Sequence, residues 1–240
     1  RHGNLYYSTD GSSFTQDTSL PDGKLFITST GKFDVVSDGS EYYLNAQYKI
    51  YRGTYGAWTE FTPKKKSNGH EWKDDEDVFT RLYFDSIDTR LYAADNAGYV
   101  YAVDSPSSAD EKDWIQSEDN TPSGLGIQGM VVLNIPTSAG GTHKVLLCGS
   151  GINGGKGYYE VHNPRTSDDE YLNPKRPKHS VDIVSDYYDY VAFDLSQAAV
   201  NSFFVDEYPD GSFDFYALSY GFGIWKNSDR GGYRRAWNQE

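Results

Sequence analysis

The sequence predicts an all-β protein, and three observations support this prediction. Aromatic residues make up 16% of the chain, with 21 Tyr, 12 Phe and 5 Trp, and such side chains favour a half-buried pleated surface over a helix. Short runs of alternating apolar and polar residues recur along the chain, which is typical of strands with one buried face. Asp-Gly, Gly-Gly and Asp-Ser pairs separate many of these runs, and tight hairpin turns favour these residues.

Five hairpins share one pattern, in which a short strand and a polar turn are followed by an aromatic residue that opens the next strand. They are NLYYSTDGSSFTQ (4–16), KIYRGTYGAWTEF (49–61), YVYAVDSPSSADEKDWIQS (99–117), GYYEVHNPRTSDDEYLN (157–173) and GIWKNSDRGGYRRAW (223–237). We expect the aromatic residues at the restart to pack between neighbouring sheets; they are Phe14, Trp58, Trp114, Tyr171 and Tyr233.

A second pair of strands precedes four of these five hairpins. These pairs are FDVVSDGSEYYLNAQ (33–47), FTRLYFDSIDTRLYAADN (79–96), GMVVLNIPTSAGGTHKVLLCGSG (129–151) and VNSFFVDEYPDGSFDFYALSYG (200–221). Successive units of four antiparallel strands, about 45 to 65 residues apart, are typical of β-propeller blades. The sequence therefore predicts a β-propeller of four-stranded antiparallel blades.

Four complete units and one initial hairpin favour a closed ring of five blades within a single domain over residues 1–240, because closure removes exposed sheet edges. The run at 24–30 or the stretch at 181–195 would supply the strands that the first hairpin lacks. A β-sandwich is the alternative fold, and the chain as a fragment of a larger propeller is a further alternative.

Two of the turns resemble a known motif. Ser8-Thr9-Asp10-Gly11-Ser12-Ser13-Phe14 is similar to a degenerate Asp-box, the Ser-x-Asp-x-Gly-x-Thr-Trp turn of sialidase and sortilin-type propellers, and residues 227–233 form a second imperfect copy. Gly comes early in the first copy and Phe replaces Trp, so the resemblance concerns architecture only. It implies that Asp10 and Asp229 have structural roles, because a carboxylate in such a turn accepts hydrogen bonds from backbone N–H groups.

Composition excludes several classes of partner. The formal net charge of −13 repels nucleic-acid phosphates and anionic membrane surfaces, and the chain contains no apolar run long enough to insert into a membrane. The single cysteine, Cys148, lies in an apolar run and is expected to be a buried thiol. No Asn-x-Ser/Thr sequon occurs, which favours bacterial export over eukaryotic secretion. We therefore expect an extracellular or cell-surface protein.

Ligands of propellers usually meet loops at one end of the blades, and the polar residues of these loops are the candidate site. The loops that join second to third strands, together with those that enter each blade, contain Gln47, His70, Trp72, Asp95, Asn96, Asn153, Lys156 and Tyr220. His70 and Trp72 would form the rim of a polar pocket suited to a sugar or a peptide. No cofactor is expected.

The sequence favours a non-enzymatic module that binds a protein or a glycan, as in adhesion. One alternative is a glycoside hydrolase-like enzyme, whose loop carboxylates would include Glu71, Asp74, Asp95, Asp182 and Asp186. Another alternative is a structural module of a larger protein. The five histidines are not spaced as metal ligands along a helix, so neither a metal site nor a catalytic triad is predicted.

Overall fold

In the computed structural model, most of the described residues form β-strands. The described residues are 2–20, 25–26, 33–46, 48–64, 78–121, 126–136, 142–150, 157–175, 199–209, 213–219, 223–227 and 237–239. They contain 19 strands and one short 3₁₀ helix, and the strands confirm the predicted four-stranded antiparallel sheets of an all-β, propeller-type fold. The number of blades stays a prediction.

Packing divides the chain into two compact units. The first comprises Arg1–Asn96 and Tyr101–Gln116, and the second comprises Ala97–Val100 and Ser117–Glu240. Each unit is described by itself below. The single domain expected over residues 1–240 stays a prediction.

The first unit begins with a hairpin and a short strand pair. Its strands are β1 (His2–Gly3), β2 (Leu5–Tyr7), β3 (Thr15–Asp17) and β4 (Leu25–Phe26). Strand β2 pairs antiparallel with β3, as the alternation in 4–16 predicts, and β1 pairs antiparallel with β4. The run at 24–30 thus contains a strand, whereas the other stretch proposed to complete the first blade, 181–195, lies outside the described residues.

Two complete four-stranded meanders follow. The first contains β5 (Val35–Ser37), β6 (Tyr42–Ala46), β7 (Lys49–Thr54) and β8 (Ala57–Glu60), hydrogen-bonded in chain order. The second contains β9 (Phe79–Asp85), β10 (Arg90–Asp95), β11 (Val100–Asp104) and β12 (Ile115–Gln116), also hydrogen-bonded in chain order. Both agree with the strand pairs and hairpins that the sequence predicts.

The second unit contains a three-stranded and a four-stranded sheet. Their strands are β13 (Ile127–Pro136), β14 (Thr142–Ser150) and β15 (Tyr158–His162), and β16 (Val200–Glu207), β17 (Phe213–Ser219), β18 (Gly223–Asn227) and β19 (Trp237–Gln239). The strands of the two sheets approach each other closely at two glycines. A Cβ atom added at Gly149 would lie 2.6 Å from the carbonyl oxygen of Val200, and one at Gly129 would lie 2.9 Å from the Cα of Ser202.

The fourth strand predicted within 157–173 is wrong. A 3₁₀ helix (Asp169–Leu172) occupies this position, and the side chain of Asp168 accepts a hydrogen bond from the N–H of Glu170 at its start. A side-chain cap and acidic residues in the first turn favour a helical turn over a strand. Among the residues that the structure describes, an isolated antiparallel bridge between Glu160 and Lys175 continues the sheet beyond β15.

The predicted packing of the restarting aromatic residues is correct for both described tryptophans. Trp58 and Trp114 are 7% and 3% exposed. The indole N–H of Trp114 donates to the carbonyl oxygen of Phe61, which follows the preceding sheet. The ring of Phe61 lies against that of Trp114 with 5.4 Å between centroids. These two tryptophans therefore pack one sheet against the preceding one.

For two other aromatic residues the packing prediction is wrong, because Phe14 is 67% and Tyr171 44% exposed. Phe14 is two residues from Gln16, which pairs with Tyr6, so alternation places Phe14 on the face of the hairpin that is exposed to solvent. In the 3₁₀ helix, Leu172 is buried in place of its neighbour Tyr171. Tyr233 lies outside the described residues.

The turn between β2 and β3 is organised by Asp10. Its Oδ1 accepts hydrogen bonds from the N–H groups of Ser12 and Ser13, both at 2.8 Å, and from the hydroxyl of Ser8 at 3.0 Å. Bonds from Ser13 and then Ser12 hold the pKa of Asp10 well below its ordinary value. Gly11 has a positive φ of 73°, which favours glycine. The carboxylate therefore has the turn-forming role that the sequence suggests.

The turn between β5 and β6 repeats this arrangement. Oδ1 of Asp38 accepts hydrogen bonds from the N–H groups of Ser40 and Glu41, both at 2.8 Å, and from the hydroxyl of Ser40. Both turns contain the sequence Asp-Gly-Ser, and the glycine again has a positive φ. Tyr42 follows Asp38 by four residues, as Phe14 follows Asp10, so the likeness of the two turns was visible in the sequence.

Candidate functional site

Six of the eight predicted ligand-binding residues lie outside the described residues, namely Gln47, His70, Trp72, Asn153, Lys156 and Tyr220. Their proposed convergence therefore stays a prediction. The other two, Asp95 and Asn96, are at the end of β10 and are described.

Asp95 is completely buried in the first unit. Its Oδ2 accepts a hydrogen bond from the hydroxyl of Tyr101 at 2.9 Å, and that hydroxyl accepts one from Nε2 of Gln116 at 3.0 Å. The ring of Phe79 packs edge-on against Tyr101, with 5.4 Å between centroids. This network connects the ends of neighbouring strands through buried polar groups, so its geometry favours a structural contribution from Asp95.

Asn96 is exposed, but its polar groups pair with the backbone of an adjacent strand. Its side-chain oxygen accepts from the N–H of Val78, and its own N–H donates to the carbonyl oxygen of Val78, both at 2.9 Å. The side-chain oxygen and backbone N–H of Asn96 thus extend the hydrogen bonding between β9 and β10 by one residue. Whether Asp95 and Asn96 also contact a ligand stays a prediction.

The opposite ends of the strands in the first unit present three tyrosines whose rings contact one another in series, with Tyr7 stacked on Tyr55 and Tyr42 tilted by 33° against it. We call Tyr7, Tyr55 and Tyr42 the tyrosine column. The rings of Tyr7 and Tyr55 are 4.6 Å apart and inclined by only 7°, and those of Tyr42 and Tyr55 are 4.8 Å apart. Tyr55 is 40% exposed, and the other two are half-buried. A hydrogen bond with Tyr42, together with partial burial, raises the pKa of Tyr55.

A buried carboxylate holds the tyrosine column in place. Oδ2 of Asp17 accepts hydrogen bonds from the N–H of Gly56 and the indole N–H of Trp58, both at 2.9 Å. Its Oδ1 accepts from the N–H of Ser19 at 2.9 Å and from the hydroxyl of Ser19 at 2.6 Å. Because Gly56 follows Tyr55 and Asp17 ends the hairpin that contains Tyr7, these bonds fix two members of the column relative to each other.

The pKa of Asp17 reflects these bonds. Burial by itself would raise it, but the hydrogen bonds from Ser19, Gly56 and Trp58 outweigh burial and lower the pKa to about 2. A hydrophobic cluster lies beneath, formed by Leu20, Leu44, Ala46, Tyr51 and Trp58, with Tyr42 packed against it. The tyrosine column is therefore a preorganised aromatic surface and not a set of independent side chains.

The second unit brings together three titratable side chains that the sequence analysis did not connect. Oε2 of Glu160 lies 2.8 Å from Nε2 of His162, and Nδ1 of His162 lies 2.8 Å from Nε2 of His143. The Glu160 side chain is completely buried, whereas that of His162 is 35% exposed. We call these residues the Glu-His-His cluster.

Strand geometry explains the cluster. Glu160 and His162 are two residues apart on β15 and therefore share a face. In the register of β14 with β15, Val145 pairs with His162, so His143 is the diagonal neighbour of His162 on that face. The Glu-x-His spacing was visible in the sequence, but the strand register that adds His143 was not.

Cys148 is buried in β14, as predicted. Burial raises the pKa of its thiol, so the thiolate that reacts with oxidants and alkylating agents is disfavoured.

Among the described residues, no helix is long and apolar enough to cross a membrane.

Comparisons with known proteins give a likeness of fold. No protein-family model matches the chain, and no curated protein matches it in sequence. The extracellular domain of a protein assigned as a one-component system from B. thetaiotaomicron is 13% identical, with a TM-score of 0.53 over 92% of this chain. The match spans only 24% of that structure. At this identity the likeness concerns the fold alone.

Two further solved structures have lower scores. Exo-beta-1,3-galactanase from Phanerochaete chrysosporium is 11% identical, with a TM-score of 0.46 over 98% of this chain and 53% of that one. The β-propeller domain of Cps50 (Swd1) from Myceliophteria thermophila is 13% identical, with a TM-score of 0.44 over 84% of this chain and 57% of that one. The likeness to sialidase and sortilin-type propellers stays a prediction.

Proposed function

We propose that this protein is a non-enzymatic binding module, located outside the cell or on its surface, that recognises a carbohydrate or protein ligand through the loops at the ends of its blades. The observation that supports this proposal most directly is the tyrosine column. Tyrosine offers a large rigid surface at a low cost in conformational entropy, together with a hydroxyl that forms hydrogen bonds.

Preorganisation strengthens the argument for ligand binding. The hydrogen bonds that Asp17 accepts from Gly56 and Trp58 fix the turn carrying Tyr55 against the hairpin carrying Tyr7, and the two local bonds from Ser19 orient the carboxylate. A ligand that contacts the column therefore does not have to order these side chains, and less of its binding energy is lost to entropy. The extracellular location of the domain matched with a TM-score of 0.53 agrees with the proposed location.

The experiment is a glycan array probed with the wild-type protein and three variants. Tyr55→Ala tests the tyrosine column, and Trp72→Ala tests the loop residues that the sequence analysis predicts. Phe14→Ala is the matched control, because Phe14 is exposed and aromatic but is not part of the column. We expect Tyr55→Ala to weaken binding about tenfold, in line with a typical aromatic contact, while Phe14→Ala binds like wild type.

The possible results of this experiment distinguish the column from the predicted loops and binding from hydrolysis. Loss of binding in Trp72→Ala alone would assign the ligand to the predicted loops instead of the column. Release of reducing sugar from a bound glycan would replace the proposal with the hydrolase alternative. If the array and a parallel screen of purified surface proteins give no ligand, the proposal of a binding module fails.

A further inference from the structure

We propose that His143 and His162 form a binding site for a divalent transition-metal ion, with Cu²⁺ preferred, and that Glu160 supports this site from the other side of the His162 ring. The starting observation is that two imidazole nitrogens from adjacent strands face each other at 2.8 Å. Imidazole nitrogen is the common protein ligand for copper, nickel and zinc. The inference does not depend on the proposed ligand-binding function.

The separation of the two nitrogens fits neighbouring positions around one metal ion. Two ligands bound at about 2.0 Å and at right angles, as in square-planar sites, have nitrogens about 2.8 Å apart, whereas tetrahedral ligands are about 3.3 Å apart. The observed 2.8 Å is the length of a hydrogen bond between the rings and is compatible with neighbouring positions on a tetragonal ion, and Cu²⁺ is preferred because it binds nitrogen ligands more tightly than Ni²⁺ or Zn²⁺. Each ring has to turn so that its lone pair points at the ion instead of along the line between the rings.

Glu160 fills the place that a carboxylate has beside many metal-binding histidines. Its Oε2 lies 2.8 Å from Nε2 of His162, on the ring nitrogen that does not face His143. Such a carboxylate accepts the Nε2–H, fixes the tautomer with the lone pair on Nδ1 and makes that nitrogen a stronger ligand. A negative charge on the buried Glu160 side chain would also favour a cation bound at the neighbouring rings.

The backbone holds the two histidines at this separation. Lys144 follows His143 and Asn163 follows His162. The N–H of Asn163 donates to the carbonyl oxygen of Lys144 at 2.8 Å, and the N–H of Lys144 donates to Oδ1 of Asn163 at 3.2 Å. Because side chains alternate along a strand, the Lys144 ammonium group lies on the face opposite His143. The two ligands are thus preorganised, and the cation of Lys144 is kept on the other face.

Proton balance is straightforward. With the His162 proton on Nε2, where Glu160 accepts it, the proton between the two rings belongs to Nε2 of His143. Binding requires that the His143 proton move from Nε2 to Nδ1 through solvent, with no net release.

Among the described residues, no three His, Cys, Asp or Glu side chains form a group that could hold a metal ion. The site therefore has two protein ligands, and Glu160 contacts His162 instead of the ion. Because the His162 side chain is 35% exposed, water can occupy the remaining positions. An ion held in this way is exchangeable.

The test is calorimetric titration of the full chain with CuCl₂, NiCl₂ and ZnCl₂, combined with electron paramagnetic resonance of the copper form. All proteins carry His2→Ala, because His2 is a further described histidine outside the cluster and would add its own copper signal. We expect about one equivalent of Cu²⁺ with hyperfine coupling to two nitrogen nuclei. His143→Ala and His162→Ala should each remove one nitrogen and most of the affinity, and Glu160→Gln should weaken binding by about 10- to 100-fold.

Two further measurements test the proposal even if one of these variants does not fold. Far-UV circular dichroism identifies such a variant, and ¹⁵N chemical shifts of the histidine rings in the parent protein show directly whether Nδ1 of His162 and Nε2 of His143 bind added Zn²⁺. His179→Ala is the control for a histidine outside the cluster. Copper binding that is equally strong in folded His143→Ala, or ring shifts that place the metal on other nitrogens, would overturn the proposal.

Discussion

Replacing Asp17 with Asn should detach the first hairpin from the sheet beside it. The carboxylate uses both oxygens, Oδ1 for two bonds from Ser19 and Oδ2 for the N–H groups of Gly56 and Trp58. Asn has only one acceptor oxygen. If it retains the local bonds to Ser19, its NH₂ group faces two N–H donors, which then lack an acceptor in a buried place.

Two routes give the magnitude of this effect. Two lost hydrogen bonds to a charged acceptor are worth about 3 to 6 kcal/mol in total, and relaxation of a hairpin at the edge of the unit favours the lower value. Lowering the pKa from 3.8 to about 2 corresponds to about 2 kcal/mol in favour of the carboxylate once screening by water is allowed for. We therefore expect the free energy of unfolding to fall by about 2 to 3 kcal/mol.

The assay is urea unfolding followed by tryptophan fluorescence, with Asp10→Asn as the matched control. All three bonds that Asp10 accepts from Ser8, Ser12 and Ser13 end on Oδ1, so Asn at this position retains its acceptor. The control should remain close to wild type. A loss below about 1 kcal/mol in Asp17→Asn, or an equal loss in the control, would refute the assignment of Asp17 as the anchor of the hairpin.

The same variant predicts a change in acid stability. Because the folded-state pKa of Asp17 lies below its unfolded value, its contribution is complete above about pH 4 and is lost as pH falls towards 2. The unfolding free energy of Asp17→Asn should therefore decline less steeply than that of wild type in this interval. Asp38, whose pKa is also about 2, remains in the variant and retains part of the slope. Identical slopes in the two proteins would contradict the pKa argument.

Three further predictions concern other parts of the molecule. Gly149→Ala should destabilise the second unit by about 1 to 3 kcal/mol in urea unfolding, because its Cβ would lie 2.6 Å from the carbonyl oxygen of Val200; a neutral result would show that the strands can move apart. Arg52→Lys should cost about 1 to 2 kcal/mol, since Arg52 stacks 4.4 Å above the Phe61 ring and donates to the carbonyl oxygen of Ala109; an unchanged urea midpoint would contradict this. Cys148 should react with a thiol reagent only after unfolding, because it is completely buried; rapid labelling of the native protein would exclude the described packing of β14.

The strands could be predicted from the sequence because the residues that specify a strand are close together in the chain. Alternation of apolar residues and the turn residues between them are read within a few positions, and they correctly predicted, for example, the pairing of β9 with β10. The 3₁₀ helix after β15 was missed although Asp168, Asp169 and Glu170 form a recognisable helix start. The strand prediction there gave too much weight to Tyr171.

The contacts between strands could not be predicted in the same way. Trp58 and Phe14 have equivalent places in their hairpins, yet one is buried and the other exposed, because Trp58 packs in a hydrophobic cluster and donates to Asp17, whereas Phe14 lies on the exposed face of its hairpin. The Glu-His-His cluster likewise depends on the register between β14 and β15. A single sequence shows which residues are present, but it does not show which residues of two strands lie opposite each other.

The lone thiol of Cys148 and the indole of Trp58 belong to different compact units. Chemical labelling of Cys148 therefore reports on the second unit, whereas tryptophan emission reports on both units together, because Trp58 and Trp114 lie in the first unit and Trp225 lies in the second. If both signals change at one urea concentration, the two units unfold as a single cooperative body. If the signals change at different concentrations, the two units unfold independently. One unmodified polypeptide thus contains the two probes needed to decide how many folding units it has.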